Sequence, residues 1–305
     1  MLLRLIWRLI SIVVLLIALI FFVALLIKLG EQGGLAALPS AISSAFEFSA
    51  EYIKGLAHGD MGEGTSPYRS VSGTPVFEEI RRALPNSLAL LGISLVLAVV
   101  VGVYLGMASA LRRSSRLAGL VLFASTLGIS TPSFFAAMLL IWFGVWLFTA
   151  TGQHFFPIAG FGWDAHLILP SLVLAARPAA AVTRLSYNSF VEILEADYVR
   201  TAHSKGLHPK LVLLNHVLRN AGVPILTIIL VSLRFSLAVL PIVEYIFSWP
   251  GIGLSLLTAI QIGDATTAIG MILTLALLFV LVNLILDFIY PRIDPRLRTA
   301  KVGVV

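Results

Sequence analysis

Long apolar runs alternate with short polar connectors along this chain, and within the runs the residues do not alternate in the every-second-position manner of strands. The first run, from Leu9 to Ile27, holds 19 residues without a charge between Arg8 and Lys28. About 20 such residues carry a helix across the hydrocarbon core of a bilayer. Five further runs follow, near residues 87–111, 134–149, 167–182, 223–247 and 267–290. Continuous apolarity predicts helices rather than barrel strands, because a helix satisfies its own backbone in lipid. The expectation is an all-α membrane protein with six spans.

Between the first two spans, residues 30–86 form the one sizeable polar connector. Residues 42–57 predict a helix broken at Gly59-Asp60-Met61-Gly62. Thr74, Pro75, Glu78 and Glu79 predict a second helix start, with a capping hydroxyl, proline at the first position and acids in the first turn. That helix is expected to end near Ala83, before Pro85. The segment is too short for an independent core; it either meets a partner or packs over the spans. Arg112-Arg113-Ser114-Ser115-Arg116 reads as a tight turn, after which residues 117–129 either lie along the interface or extend the third span, with a break at Pro132. Residues 151–166 lack Lys and Arg, and Phe155, Phe156, Phe161 and Trp163 there fit anchoring at the membrane interface.

Charge placement then orients the chain. Of 305 residues 12% are charged and 59% hydrophobic, against roughly 25% charged in soluble domains. With the N-terminus inside, 14 Lys and Arg fall in inner segments and 5 in outer ones (Lys28, Lys54, Arg69, Arg81 and Arg82). The positive-inside rule therefore predicts both termini in the cytoplasm. The basic balance, pI near 9.8, is accounted for by topology and not by nucleic-acid binding. Arg4 and Arg8 ahead of an apolar run resemble a signal peptide, but the run is long and lacks a clear small-x-small cleavage site, so a retained anchor is expected. The absence of cysteine excludes disulfides, thiol catalysis and cysteine metal sites. None of the histidines (His58, His154, His166, His203, His208, His216) lies in the middle of a span, and no His-Glu-x-x-His occurs. No catalytic residue, metal site or bound cofactor is predicted.

One polar stretch stands out among the apolar runs: Ala196-Asp197-Tyr198-Val199-Arg200-Thr201-Ala202-His203-Ser204-Lys205-Gly206. Asp197 is a plausible N-cap and Gly206 a terminator, with Pro209 opening a further helix that bears Lys210, His216 and Arg219. The product is a short helix lying along the membrane and presented to the cytosol, either as a grip for a soluble partner or as a solvated connector.

This stretch resembles the "EAA" signature of ABC-transporter permeases, in the variant of the dipeptide/oligopeptide/nickel importer family. The matching positions are Ala196, Asp197, Tyr198, Arg200, Thr201, Ala202, Lys205, Gly206, His216, Arg219, Asn220 and Pro224. Other landmarks of that family occur in order: Gly59 to Gly62, Pro85-Asn86-Ser87-Leu88, Thr131-Pro132-Ser133-Phe134, Glu244 to Phe247, Trp249-Pro250-Gly251-Ile252-Gly253, and Asp294-Pro295-Arg296-Leu297-Arg298. Departures are Arg200-Thr201-Ala202 where the general signature has Glu-Ala-Ala, a fifth span without the usual central glycines, and Gly263-Asp264-Ala265-Thr266-Thr267 in place of a more usual Arg-Asp-Tyr-Pro. The resemblance implies the first permease type of a pair, divided as residues 1–29 (anchor), 30–86 (external segment) and 87–305 (permease core with a coupling loop near 185–222). It implies docking on a partner ATPase through Asp197, Tyr198, Arg200, Thr201, Ala202, His203, Lys205 and Gly206. It further implies a second homologous permease, two cytoplasmic ATPase domains that bind ATP, an external solute-binding protein and the inner membrane of a prokaryote. Di- or oligopeptides are the expected substrate, with nickel, an oligosaccharide or another small solute as alternatives. The chain has no GxxxxGK[ST] loop, so nucleotide belongs to a partner. A channel or secondary transporter needs no such polar helix.

Arg177, Arg234, Glu244 and Asp287 fall in or near spans. An unpaired charge at mid-membrane costs about 2.5–3.5 kcal/mol on insertion scales. Arg234, half-way along the fifth span, is expected either to line a substrate pathway or to pair with a carboxylate or carbonyl at a subunit interface. Glu244 is a second pathway candidate. Arg177 precedes Pro178, where freed carbonyls are expected to accept its hydrogen bonds.

Overall fold

The computed structural model describes residues 2–66, 71–153 and 155–293. Among them are six helices long and apolar enough to cross a membrane. In chain order the elements are α1 (Leu2–Glu31), α2 (Leu38–Ala57), strands β1 (Glu63–Ser66) and β2 (Val71–Pro75), α3 (Val76–Leu111), α4 (Arg116–Ser130), α5 (Ser133–Thr151), α6 (Ile168–Glu195), α7 (Asp197–Ser204), α8 (Pro209–Val212), α9 (Arg219–Ile246), α10 (Ile252–Ile262) and α11 (Ala265–Ile293). The spans are carried by α1, α3, α5, α6, α9 and α11. The chain divides into two compact units, Met1–Leu88 with Ser248–Val280, and Ala89–Phe247 with Leu281–Val305.

The first unit is built on an apolar core from α1 (Ile20, Val23, Ala24), α2 (Ala45, Tyr52), the start of α3 (Val76, Ile80), α10 (Ile252, Leu256) and α11 (Ile269, Met271). Small residues allow close approach: a Cβ on Gly270 of α11 would come within 2.3 Å of Val76. Two features of the polar connector differ from expectation. Thr74 and Pro75 do not open a helix; they end β2, which pairs antiparallel with β1, and α3 begins at Val76, whose N–H donates to the Gly62 carbonyl at 3.0 Å. Nor does that helix stop before Pro85. It runs through to Leu111, because Ile80 and Ala83 before the proline and Ser87 and Leu90 after it are all buried. Packing on both sides holds a helix through the one hydrogen bond that proline removes.

The second unit is organised around α6, the most buried span. Gly102 and Gly106 of α3 face it so closely that a Cβ on either would meet Val182 at 2.7 Å or Ser186 at 2.6 Å. This Gly-x-x-x-Gly contact brings two backbones together, and dispersion between them replaces the hydrophobic effect that lipid cannot supply. Residues 116–130 form a separate helix α4, capped by Ser115, whose Oγ accepts from Ala118 N at 3.2 Å, and broken from α5 at Thr131 and Pro132. Gly128 of α4 also abuts α6, where a Cβ would sit 3.0 Å from Ala180. In the connector after α5, the Asp164 carboxylate accepts from the backbone N–H of His166 at 3.0 Å and lies 2.6 Å from the ring nitrogen Nδ1. Those two contacts hold the Asp164 carboxyl below its usual range.

Candidate functional site

Eight residues, Asp197–Ser204, form α7 between the long helices α6 and α9. Its first helical residue is Asp197, and the cap position falls to Ala196, in extended backbone, whose carbonyl accepts from Val199 N at 3.0 Å and Arg200 N at 3.2 Å. Gly206 ends the element at φ 73°, a left-handed conformation that glycine adopts without Cβ strain. Leu207 N then donates to the Ala202 carbonyl at 3.3 Å.

The helix has two faces. Val199 and Ala202 are buried in a cluster with Phe190 of α6, Val212 of α8, Val217, and Ala221 and Ile225 of α9. Asp197, Tyr198, Arg200, Thr201, Ser204, Lys205 and Gly206 are exposed. Ala202, expected on the presented surface, therefore belongs to the inward face: it is three residues from Val199, and that spacing puts both on one side of a helix. The His203 side chain lies outside the described residues. Tyr198 Oη accepts from Asn220 Nδ2 at 3.0 Å, a tie between α7 and the beginning of α9. Arg200 lies 3.7 Å from Asp197 with both side chains largely in solvent. Below α7 the chain returns through α8 and a π-helical stretch, Leu213–Leu218, into α9. At the end of α6, Glu195 pairs with Arg113 of the α3–α4 turn. A short helix that is apolar inward, polar outward and braced to the flanking spans can pass a push from outside to both of them.

Three of the other sequence landmarks, Gly59 to Gly62, Pro85 to Leu88 and Trp249 to Gly253, lie in the first unit. Asn86 Nδ2 donates to the Pro250 carbonyl at 2.8 Å, Trp249 Nε1 donates to the Asn86 carbonyl at 3.1 Å, and Ile252 N donates to Ser87 Oγ at 2.8 Å. Buried Glu79 accepts from Ser66 Oγ at 3.0 Å and Ser255 Oγ at 3.5 Å. Asp264 accepts from Thr65 N, Thr267 N and Thr267 Oγ1 at 2.5, 3.0 and 2.8 Å. In the Gly59–Gly62 turn, Asp60 accepts from Gly62 N at 2.8 Å. A cavity of about 470 Å³ lies beside it, lined by Tyr52, Lys54, His58, Asp60 and Glu63 among others. Burial, followed by the Asp60 charge, pushes the Tyr52 hydroxyl up to about 12. The C-terminal landmark at 294–298 lies outside the described residues.

The charges within the spans divide. Glu244 is fully buried, so it does not lie on an open wall of this chain. Arg234 is half-buried, with Nε enclosed and without a hydrogen-bond partner. The Arg177 guanidinium makes no hydrogen bond to freed carbonyls among the described residues; it lies 4.0 Å from the centroid of the Phe235 ring. Sequence reasoning also passed over Gly102 and Gly106, although two glycines four apart in an apolar run are a legible packing signal.

Six spans and a short amphipathic helix braced between two of them define a multi-pass membrane protein. Residues 98–299 match the family described as binding-protein-dependent transport system inner membrane component, and the chain belongs to that family. It is 33% identical over 270 residues to the dipeptide transport system permease protein DppB of Alkalihalophilus pseudofirmus, covering 81% of this chain and 80% of the relative. It is 34% identical over 258 residues to the oligopeptide transport system permease protein AppB of Bacillus subtilis (81% and 79% covered). The glutathione transport system permease protein GsiC of Escherichia coli O6:H1 is 36% identical over 248 residues (81% and 78%). The protein is thus a permease component of the bacterial plasma membrane, serving a binding-protein-dependent importer, and its role is transport.

Proposed function

We propose that this chain forms one half of a peptide-conducting pathway and that α7 is the element through which a cytoplasmic ATPase drives it. The observation that carries the docking assignment is the two-sidedness of α7. Val199 and Ala202 tie it to α6, α8 and α9, while Asp197, Tyr198, Arg200, Thr201 and Lys205 are left on the open side. A partner that grips the open side moves the flanking spans with it. ATP binding and hydrolysis by that partner shift the pathway between inward- and outward-facing states only through contacts that differ between those states. Nucleotide sits on the partner, since this chain carries no phosphate-binding loop. Both termini are cytoplasmic, in line with the distribution of Lys and Arg. A second, homologous permease completes the pathway, and an external binding protein delivers solute. Small peptides are the substrate class, supported by the dipeptide, oligopeptide and glutathione systems to which the chain is similar. The division into an anchor (1–29), an external segment (30–86) and a permease core (87–305) belongs to this reading.

The test is co-purification of the chain with its candidate ATPase from membranes, comparing native protein with Arg200→Glu combined with Lys205→Glu. Both side chains are exposed, so the variant is expected to insert normally and to lose the ATPase. Equal recovery of the ATPase with both proteins would remove α7 from the docking role.

A further inference from the structure

Two cations lie deep within spans of the second unit. Arg234 is 15 residues from one end of the Arg219–Ile246 span and 12 from the other, roughly 22 and 18 Å at 1.5 Å per residue. Arg177 is 12 residues from the start of the Ala165–Glu195 span, roughly 18 Å along its axis. Neither forms an ion pair among the described residues. Arg177 instead covers the ring of Phe235, the residue next to Arg234, at 4.0 Å from the centroid. The contact therefore places the Arg177 guanidinium against the α9 residue that follows Arg234 in the chain.

The faces that bear them are mixed in character. The exposed residues of α5 are large and apolar: Phe134, Met138, Trp142, Phe143 and Trp146 among them. On α6 the exposed positions nearest Arg177 are Leu172, Ala176 and Arg184, with Asn188 a further turn along. On α9, Arg234 falls in the helical stripe of Val231, Ala238 and Ile242, all exposed. A mid-span cation is tolerated where it meets water or an anion, and not against acyl chains. Small and polar neighbours on α6 leave room for both.

We infer that Arg177 and Arg234 form a carboxylate station in the transport pathway, holding the C-terminal carboxylate of a peptide in transit. This deepens the peptide reading proposed above and rests on it. A carboxylate is the one anionic group that every linear peptide with a free C-terminus carries, whatever its side chains. The planar guanidinium fork matches it with two parallel hydrogen bonds. Stacking on Phe235 uses the face of Arg177 and leaves its N–H edge for such bonds. The same chemistry is available from an Asp or Glu of the second permease, and the experiment separates the two sources.

The native chain has no cysteine, so single-cysteine variants report on one position alone. The complete transporter, reconstituted in liposomes with ATP inside and peptide-loaded binding protein outside, is compared with Arg234→Gln, Arg234→Lys and Arg177→Gln. Expected are a fall in peptide uptake of tenfold or more for each glutamine variant and retention within about threefold for the lysine variant, with subunit assembly unchanged. In parallel, Ala238→Cys is expected to react with a charged, water-soluble thiol reagent, and more slowly during peptide turnover. Loss of the second permease from the glutamine variants would assign the arginines to an intersubunit ion pair and overturn the station. So would a buried, unreactive Ala238→Cys, or uptake by Arg234→Gln within twofold of native. Absence of peptide uptake by the native transporter would instead overturn the substrate reading on which the station rests.

Discussion

The polar residues of the first unit and those of α7 are put to opposite uses. In the first unit Asn86, Trp249, Ser87, Ser66, Glu79 and Asp264 are engaged with groups of their own chain, and Trp249 and Glu79 are almost wholly buried. On α7 the described charged side chains stand in solvent, and the one ion pair among the described residues there, Arg200–Asp197, is at 3.7 Å. An exposed pair of that kind contributes about 0–1 kcal/mol. Polar groups engaged within a chain set its shape, whereas those left facing solvent remain free to bind something else. Both regions are polar in sequence, yet one is scaffold and the other is contact surface.

The contrast breaks most visibly at Trp249. Replacement by alanine removes a fully buried ring and the N–H that satisfies the Asn86 carbonyl. A loss of about 3–5 kcal/mol is expected for such a truncation, read as failure to recover folded protein in detergent. Gly106→Val follows. Its Cβ would lie 2.6 Å from Ser186 Cβ and 2.7 Å from the Thr183 carbonyl, so backbone has to move, at a cost of about 1–3 kcal/mol or more. A lowered melting temperature is the expected reading, and because the clash is at Cβ, Gly106→Ala should show it too. On α7 the same experiment should run the other way. Arg200→Glu with Lys205→Glu should leave the melting temperature within the equivalent of about 0.5 kcal/mol while the ATPase is lost. Ala202→Asp, by contrast, should cost stability first, because Ala202 is 5% exposed.

The smallest effect is expected at Tyr52. Its hydroxyl is buried without a hydrogen-bond partner, so Tyr52→Phe should be neutral or slightly stabilising. The folded-state value is raised from 10.0 to about 12. The unfolded chain therefore loses the tyrosine proton first, and stability is unaffected below pH 10 and falls as the pH rises toward 12. A thermal-melt series over that interval should lose this component of its slope in Tyr52→Phe.

The spans, the connectors and the α7 segment were legible because each is a local signal. Apolar length reports a helix that crosses lipid, Gly206 reports a left-handed helix end, and a polar run between spans reports a surface element. Where expectation and structure part, a distant residue intervenes. Thr74 and Pro75 look like a helix start, but pairing with Glu63 and Gly64 draws them into a strand. Pro85 looks like a stop, but burial on both sides carries α3 through it. Arg177 was expected to use carbonyls freed by Pro178, and Phe235 of another helix takes it instead.

Class, spans and the presented segment follow from the order of residues because lipid imposes a single local demand: each crossing segment must be long, apolar and satisfied within its own backbone. The inward turn of Ala202, the enclosure of Glu244 and the Arg177–Phe235 contact follow from the packing of helices far apart in the chain. Periodicity says that a helix has faces; which neighbour covers each face depends on where the other helices cross it.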